Sequence, residues 1–309
     1  MISYARKRMN MMKVCKLCPR NCTVDRRNGE KGICGQTAEL KVARAALHFW
    51  EEPCISGTAG SGTVFFSGCS LHCVFCQNEP IANGMVGKII TVERLVEIFL
   101  ELEQQGAHNI NLVTPGHFIP QIKEALLLAK EKGLTVPIVY NTSSYESVEA
   151  LKCLDGLVDI YLPDFKYMSS ELSAKYSHAS DYSVMAKAAI AEMVRQTGMP
   201  VFDEQGEEGL LKRGTIVRHL MLPGCMEDSK EILSYLYTTY GEQIYISIMN
   251  QFTPLDNVAA FPELNRKITE KEYDELIDYA IELGIEQGFI QEGETAEESF
   301  IPDFDCKGC

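Results

Sequence analysis

The 309-residue chain has no uninterrupted apolar run of the roughly eighteen residues that a membrane-spanning helix needs. Its opening stretch, Met1 to Val14, carries basic side chains without an apolar core, so no secretory signal is expected. These two absences make the cytoplasm the expected location, with no membrane partner. Positive charge is also scarce: 29 Lys and Arg stand against 43 Asp and Glu, a net charge of −14. Non-specific nucleic-acid binding needs a basic surface, so that class is excluded, although a local basic pocket is compatible with the total. Most of the acidic excess lies along helical stretches, as a solvated face would.

What the chain does have is cysteine, twelve in all. In a short secreted protein that number would mean disulfides. Here the chain is long and lacks an export signal, and seven of the cysteines fall in two tight clusters. That arrangement favours metal ligation. With 46% apolar and 23% charged residues, the remaining composition is that of a globular protein able to bury a large core.

Three regions follow from the patterning. Residues 1–60 are rich in Cys, Gly and basic side chains, show little periodicity, and read as a metal-binding module. Residues 61–250 alternate short apolar runs with amphipathic helices. Residues 251–309 hold a loop, one helix and a polar tail. In the middle region strands are expected at Thr63–Ser67, Asn109–Val113, Val136–Tyr140, Leu157–Leu162, Thr215–Leu222 and Ile244–Met249. Thr91 caps a helix whose apolar face is Val92, Leu95, Val96, Phe99 and Leu102. Pro120 suits the first turn of a second helix, and a short one spans about Tyr145–Cys153. A long helical stretch, Glu171–Gln196, is broken near Ser180, residues 197–213 suggest an inserted turn or hairpin, and Ser229–Tyr240 is helical. Thr269 and Glu272 form a capping box for a last helix that stops at Gly284. Six apolar strands alternating with helices predict a parallel sheet buried on both faces. Open Rossmann-like winding and a curved partial barrel both fit, and either places the chemistry at the carboxyl ends of the strands.

Immediately after the first of these strands comes a Cys-x3-Cys-x2-Cys loop, formed by Cys69, Cys73 and Cys76. Four cysteines close a [4Fe–4S] cluster and suit it to electron transfer. Three leave one iron with an open position, by the logic that separates catalytic from structural zinc sites. Zinc with His72 or a remote cysteine as the fourth ligand, and cysteines that merely fill a core, are the competing readings.

This spacing, its place after a strand and the β/α units that follow resemble the radical S-adenosylmethionine (SAM) superfamily. Within it the chain is most similar to the pyruvate formate-lyase activating enzyme-like family, in the branch with an N-terminal Cys-x2-Cys-Pro-Arg module. The strings that carry the resemblance are Cys15-Lys-Leu-Cys18-Pro-Arg-Asn-Cys22, Glu52-Pro-Cys-Ile-Ser-Gly57, Cys76-Gln-Asn78, Val113-Thr-Pro-Gly-His117, Leu162-Pro-Asp-Phe-Lys166 and Val217-Arg-His-Leu-Met-Leu-Pro-Gly224. They span roughly residues 14–302. The resemblance implies an α/β fold, a partial (β/α)6 TIM-like barrel over 61–250. It also implies a [4Fe–4S] cluster on Cys69, Cys73 and Cys76 whose open iron chelates the amino and carboxylate groups of SAM. One electron, from a donor such as flavodoxin or ferredoxin, then cleaves the C5′–S bond, and the 5′-deoxyadenosyl radical abstracts hydrogen from a substrate. Such chemistry is expected only under reducing, anoxic conditions.

Further site residues come from the same resemblance, position by position. Phe75, before the last cysteine, matches the aromatic whose neighbourhood touches adenine. The family's Gly-Gly-Glu after the second strand is replaced by Thr114-Pro115-Gly116-His117, so no carboxylate contact to SAM is assigned there, and Thr114 is the hydroxyl or carbonyl candidate. Asn141 and Ser143 are placed to reach the ribose or carboxylate, although both are common turn residues. Asp164 and Lys166 resemble the Asp-x-Lys that lines the methionyl and substrate region; a surface ion pair is the alternative. Adjacent strand residues point to opposite faces, so one of Arg218 and His219 faces inward. Arg218 is taken as a carboxylate clamp and His219 as a packed histidine. Met249, Asn250 and Gln251 end the last strand and border the substrate cavity.

Cys15, Cys18, Cys22 and Cys34 offer a second metal site, for zinc or for another Fe–S cluster. So little apolar material surrounds them that a metal staple is expected to hold the stretch together. Cys153 reads as a core residue. Cys225 is a conceivable site thiol, Cys54 looks isolated, and Cys306 and Cys309 fall in a tail expected to be mobile and exposed. Two functions from different classes follow. One is a radical SAM enzyme acting on a small molecule, a peptide or another protein, with glycyl-radical installation on a partner enzyme as the reaction that the family name suggests. The other is an Fe–S electron carrier or metal-binding scaffold without SAM turnover.

Overall fold

A computed structural model describes residues 14–204, 209–291 and 302–309. The N-terminal region expected at 1–60 and the C-terminal one at 251–309 therefore include short stretches, 1–13 and 292–301, outside the described residues. No helix among the described residues is long and apolar enough to cross a membrane.

The six expected strands all form. They are β2 (Ser61–Phe66), β4 (Ile110–Val113), β5 (Ile138–Thr142), β6 (Ile160–Pro163), β8 (Leu211–Leu220) and β9 (Tyr245–Met249). They lie side by side in that order and all run parallel. Four strands were not legible from periodicity. β1 (Leu40–His48) and β3 (Lys88–Ile90) extend the sheet antiparallel beyond β2, β7 (Val201–Phe202) pairs with β8 as the inserted hairpin, and β10 (Gly288–Ile290) adds a parallel edge beyond β9. The sheet runs from β10 to β3 without closing on itself. It is the partial barrel, and the open Rossmann-like alternative falls away.

The helices follow from sequence as expected. In α1 (Val92–Gln104) the Thr91 hydroxyl accepts from the Arg94 N–H, and Leu95, Val96, Phe99 and Leu102 are buried. α2 (Ile119–Glu131) has proline in its first turn. The long helical stretch divides into α3 (Ser170–Ser177) and α4 (Tyr182–Thr197), because His178 adopts a left-handed conformation that ends α3. α5 spans Met226–Tyr240, and α6 (Glu270–Leu283) starts at the full Thr269–Glu272 capping box and ends at Gly284. Two core layers result. α1 and α2 pack outside β2, β4 and β5, while α3 to α6 enclose β8, β9 and the cysteine loop.

The tail departs from expectation. Residues 302–309 lie against β1, with the Cys306 N–H on the Ala43 carbonyl and the Ala45 N–H on the Lys307 carbonyl. Arg44 pairs with Asp305, and Phe304 packs on Phe65. The tail is polar, but its backbone groups find partners on a strand that β3 covers only at one end. Cys309 is half-buried against the outer core, so its thiol is not a free surface group.

Candidate functional site

A cavity of about 480 Å³ occupies the lumen of the partial barrel, a size suited to small organic ligands. Cys69, Cys73 and Cys76 open onto it from the loop beyond the tip of β2. The loop is held by hydrogen bonds that aim donors at sulfur. The Leu71 N–H reaches Cys69 Sγ at 3.4 Å. Ser177 donates to Cys73 Sγ at 3.0 Å, and Tyr167 in turn donates to Ser177 at 2.7 Å. The Val74 N–H bonds the Tyr176 carbonyl at the end of α3. Burial pushes the Cys73 thiol up to about 11 and the Cys76 thiol up to about 12, with Lys166 pulling the other way. Bare thiolates are disfavoured in this setting, and ligation to a metal centre would hold them deprotonated.

Phe75 is buried between Tyr167 and Phe252, edge to face with each, and forms part of the cavity wall. Thr114 and Ser143 line the same cavity. Thr114 has a positive φ of 55° and donates its N–H to the Asn141 carbonyl. The Ser143 carbonyl is held by the Tyr182 hydroxyl at 2.9 Å. Met249 and Gln251 also face the cavity, whereas Asn250, between them, does not line it, as alternation requires.

A buried charge network forms part of the cavity wall. Asp164 pairs with Lys166 at 2.8 Å and with Arg218 at 2.9 Å. Arg218 also donates to Glu51 at 3.0 Å and to the Asn141 side chain at 2.6 Å. Glu51 accepts in addition from Asn111 and Asn141. Burial would raise Asp164, but Lys166 and Arg218 outweigh it and hold the carboxyl low. Burial would lower Lys166, and Asp164 outweighs that and raises it. The surface-pair alternative for Asp164 and Lys166 is thus replaced by a lumen pair.

Arg218 does face inward, but it is not a free carboxylate clamp: its guanidinium already serves Asp164, Glu51 and Asn141. Asn141 is likewise engaged by Arg218 and Glu51. His219 is the packed histidine, bonded to the Phe165 carbonyl and the Ser229 hydroxyl, and burial lowers it to about 4. Glu51 and Glu52 are site residues that periodicity did not reveal. For Glu52 the signal is its place at the head of the Glu52-Pro-Cys-Ile-Ser-Gly57 string; Glu51 lies outside it.

The N-terminal cysteines lie close together. Cys22 and Cys34 Sγ both border Gly32, where an added Cβ would meet them at 3.2 and 3.4 Å. Cys18 and Cys34 each lie within electrostatic reach of Cys15. Apart from these sulfurs the module's own core is little more than Leu17, Val24 and Ala38. Two arginines join it to the barrel. Arg20 donates to the carbonyls of Ser70 and Leu71 in the cysteine loop and to those of Ser177 and His178 after α3. Arg26 is 1% exposed, lies over the Phe118 ring, and donates to the Thr37 and His117 carbonyls. Gly68, with a φ of 93°, sits so close to the Cys34 carbonyl that a Cβ would collide with it.

Among the described residues, no three or more His, Cys, Asp or Glu side chains are arranged to hold a single metal ion. His72, the fourth ligand of the zinc alternative, has its ring nitrogens on Asn83 and the Ile33 carbonyl. Cys54 is buried among Ile55, Val139 and Ile160. Cys153 donates to the Glu149 carbonyl. Cys225 caps α5, contacts Pro223, and is absent from the cavity wall.

A family model described as the radical SAM superfamily matches residues 63–224, just over half of the chain. An uncharacterized protein of Methanocaldococcus jannaschii is 26% identical over 278 residues, which are 88% of this chain and 75% of that protein. The pyruvate formate-lyase-activating enzyme of Clostridium pasteurianum is 25% identical over 234 residues, covering 72% of this chain and 94% of that enzyme. Among solved structures, SuiB of Streptococcus suis bound to S-adenosylmethionine superposes with a TM-score of 0.51 at 11% identity, and SuiB bound to the precursor peptide SuiA with a TM-score of 0.50 at 12%. Each covers 74% of this chain but only about half of SuiB. At such identity the likeness to SuiB is one of fold.

Proposed function

The chain belongs to the radical SAM superfamily, and from that premise we propose that it is an enzyme whose Cys69, Cys73 and Cys76 hold a [4Fe–4S] cluster with one open iron. The observation that carries this reading is that three thiols with donors aimed at two of their sulfurs open onto a single cavity in the barrel lumen. Bound there, the cluster and SAM supply reductive cleavage to a 5′-deoxyadenosyl radical able to take hydrogen from a substrate. The chain's own residues prepare the site. Ser177 and the Leu71 N–H stabilise negative charge on sulfur. Phe75 gives a flat apolar wall for a heterocycle. Thr114 and Ser143 offer polar groups at the strand tips. Lys166 provides a cation beside the thiolates.

An electron donor of low potential, such as flavodoxin or ferredoxin, fits this reading, as does a cytoplasmic, anoxic setting. The substrate proposed first is a peptide or protein. The activating-enzyme relative supports a glycyl residue of a partner enzyme, and SuiB, caught with a precursor peptide on the same fold, supports peptide access. The test is anaerobic reconstitution with iron and sulfide, followed by dithionite and SAM, with 5′-deoxyadenosine measured by chromatography. Product is expected from the wild type and none from Cys73→Ala. A fully loaded protein that neither forms product nor changes its EPR spectrum with SAM would be an electron carrier or scaffold instead.

Cys15, Cys18, Cys22 and Cys34 are proposed to hold a second, closed [4Fe–4S] cluster. Arg26 supports this. It is fully buried, no carboxylate among the described residues pairs with it, and although burial raises the Cys34 thiol, Arg26 works against that rise. A centre with four thiolates supplies the missing negative charge. A cubane holds its thiolates at separate corners, whereas zinc draws them around one point. Iron analysis of a Cys69, Cys73, Cys76→Ala triple variant checks this: about four irons should remain, and stoichiometric zinc, or no metal, would refute it.

A further inference from the structure

Two residues lining the cavity carry a buried polar atom without a partner, the Thr253 hydroxyl and the Glu52 carboxylate, and only the second can carry charge. Glu52 is 8% exposed, lines the lumen, and has a buried Oε2 without any hydrogen bond. Ser247 lines the cavity near this carboxylate, two residues short of Met249 at the tip of β9. The neighbouring Glu51 bonds Asn111, two residues short of Val113 at the tip of β4. At about 3.3 Å per strand residue, this layer of carboxylates lies about 7 Å beneath the strand tips. The cysteine loop begins beyond those tips, so Glu52 marks the floor of the lumen at the end away from sulfur.

Charge balance singles out the same residue. The acidic side chains lining the cavity are Glu51, Glu52 and Asp164, and the lysine and arginine are Lys166 and Arg218. Lys166 is taken by Asp164, and Arg218 by Asp164 and Glu51. Three carboxyl groups thus face two cations, and Glu52 is the one without a direct ion pair; burial raises its carboxyl, Arg218 works against that from a distance, and a cation in contact would hold it ionised. The implied cofactors do not correct this. An oxidised cubane with three thiolates carries one net negative charge, and SAM carries one net positive charge. A buried carboxylate oxygen without a donor is costly, and a site built around one rejects ligands that cannot supply the donor.

We propose that Glu52 receives a cationic nitrogen of the substrate, an ammonium or guanidinium at the end of an unbranched carbon chain. This rests on the reading of the lumen as the substrate site and narrows it to one substrate class. The reacting carbon lies near the cysteine end and the charged terminus on the floor. The arm belongs to a free amine or to a lysine or arginine side chain of a peptide.

Calorimetric titration of the reconstituted, SAM-saturated protein with n-pentylamine and with n-pentanol tests the inference. The amine should bind the wild type at least about tenfold more tightly, the scale of one charge-assisted hydrogen bond. Glu52→Gln should erase that preference and Glu52→Asp retain part of it. Two short glycine peptides, one with a central lysine and one with norleucine, separate the sources. A lysine preference supports a peptide arm, and preference for the amine alone supports a free amine. Equal binding of amine and alcohol by the wild type overturns the proposal, as does an undiminished preference in Glu52→Gln. A preference present without SAM and lost on adding it would give Glu52 to the amino group of SAM, which also overturns it. Because the readout is heat, a protein that binds the amine but never cleaves SAM refutes the enzymatic reading and leaves this one standing.

Discussion

The Arg20 guanidinium of the N-terminal module donates to the Ser70 carbonyl at 2.8 Å, inside the loop that joins Cys69 to Cys73. The same side chain reaches the Leu71 and Ser177 carbonyls and lies over the Tyr145 ring. The two cysteine groups are therefore one mechanical unit. Arg20→Ala should leave several buried carbonyls without a donor and destabilise the fold by about 2–4 kcal/mol. Arg20→Lys should recover only part of this, because an ammonium cannot reproduce a planar fork. Denaturant unfolding of the reconstituted protein measures the loss, and faster iron release from the triad should accompany it.

Ser177 is the donor to Cys73 Sγ. Hydrogen bonds to cluster sulfur make reduction easier. Ser177→Ala should therefore lower the reduction potential of the triad cluster and slow SAM cleavage by about tenfold, the scale of other losses next to metal ligands. Potentiometric EPR reads the first effect directly. An unchanged potential would mean that this bond only positions the loop.

Arg218 ties Asp164 and Glu51 together in the lumen wall. Arg218→Met keeps much of the volume but leaves those carboxylates without their cation. The expected loss is about 3–5 kcal/mol, with the Asp164 carboxyl rising toward its ordinary range. A second change, Glu51→Gln, made on top of Arg218→Met should cost less than it does alone. A thermal-denaturation cycle over the four proteins gives the coupling.

Glu146 gives the fold a pH dependence. Burial pushes its carboxyl up to about 7 from an ordinary 4.5, against the Thr142 and Tyr140 hydroxyls. Between those values the folded chain keeps a proton that the unfolded chain has released. Stability contributed by this group therefore falls as pH rises from about 4.5 to about 7 and levels off above. The full change is about 3 kcal/mol. Glu146→Gln should remove that slope, so unfolding free energies of variant and wild type should diverge between about pH 5 and about pH 8, the variant becoming relatively more stable.

The sequence carried the central barrel well, because its strands are continuous apolar runs and its helices have caps that can be read directly. It did not carry β1. A bulge between Val42 and Arg44 shifts the pairing, and the buried pattern there is irregular, so no period of two survives to be seen. β3 and β10 are three residues each, too short for any periodicity. In the site, Cys69, Cys73, Cys76 and Phe75, read from the motif, and Thr114 and Ser143, read from the resemblance, line one cavity. Arg218 was placed correctly but not its partners, because Glu51 approaches from a loop about 170 residues away in sequence. An ion pair across that distance leaves no local spacing to read.

The props of the cysteine loop come late in the chain. Tyr176 and Ser177 brace Val74 and Cys73, and Arg20 completes its contacts only with Ser177 and His178. A ribosome releases every candidate cluster ligand well before it makes these residues. During that interval seven thiols are exposed on a nascent chain with no enclosure around them. A cluster on this loop would therefore find its braces only once α3 has docked, which favours assembly in the finished fold over assembly on the growing chain.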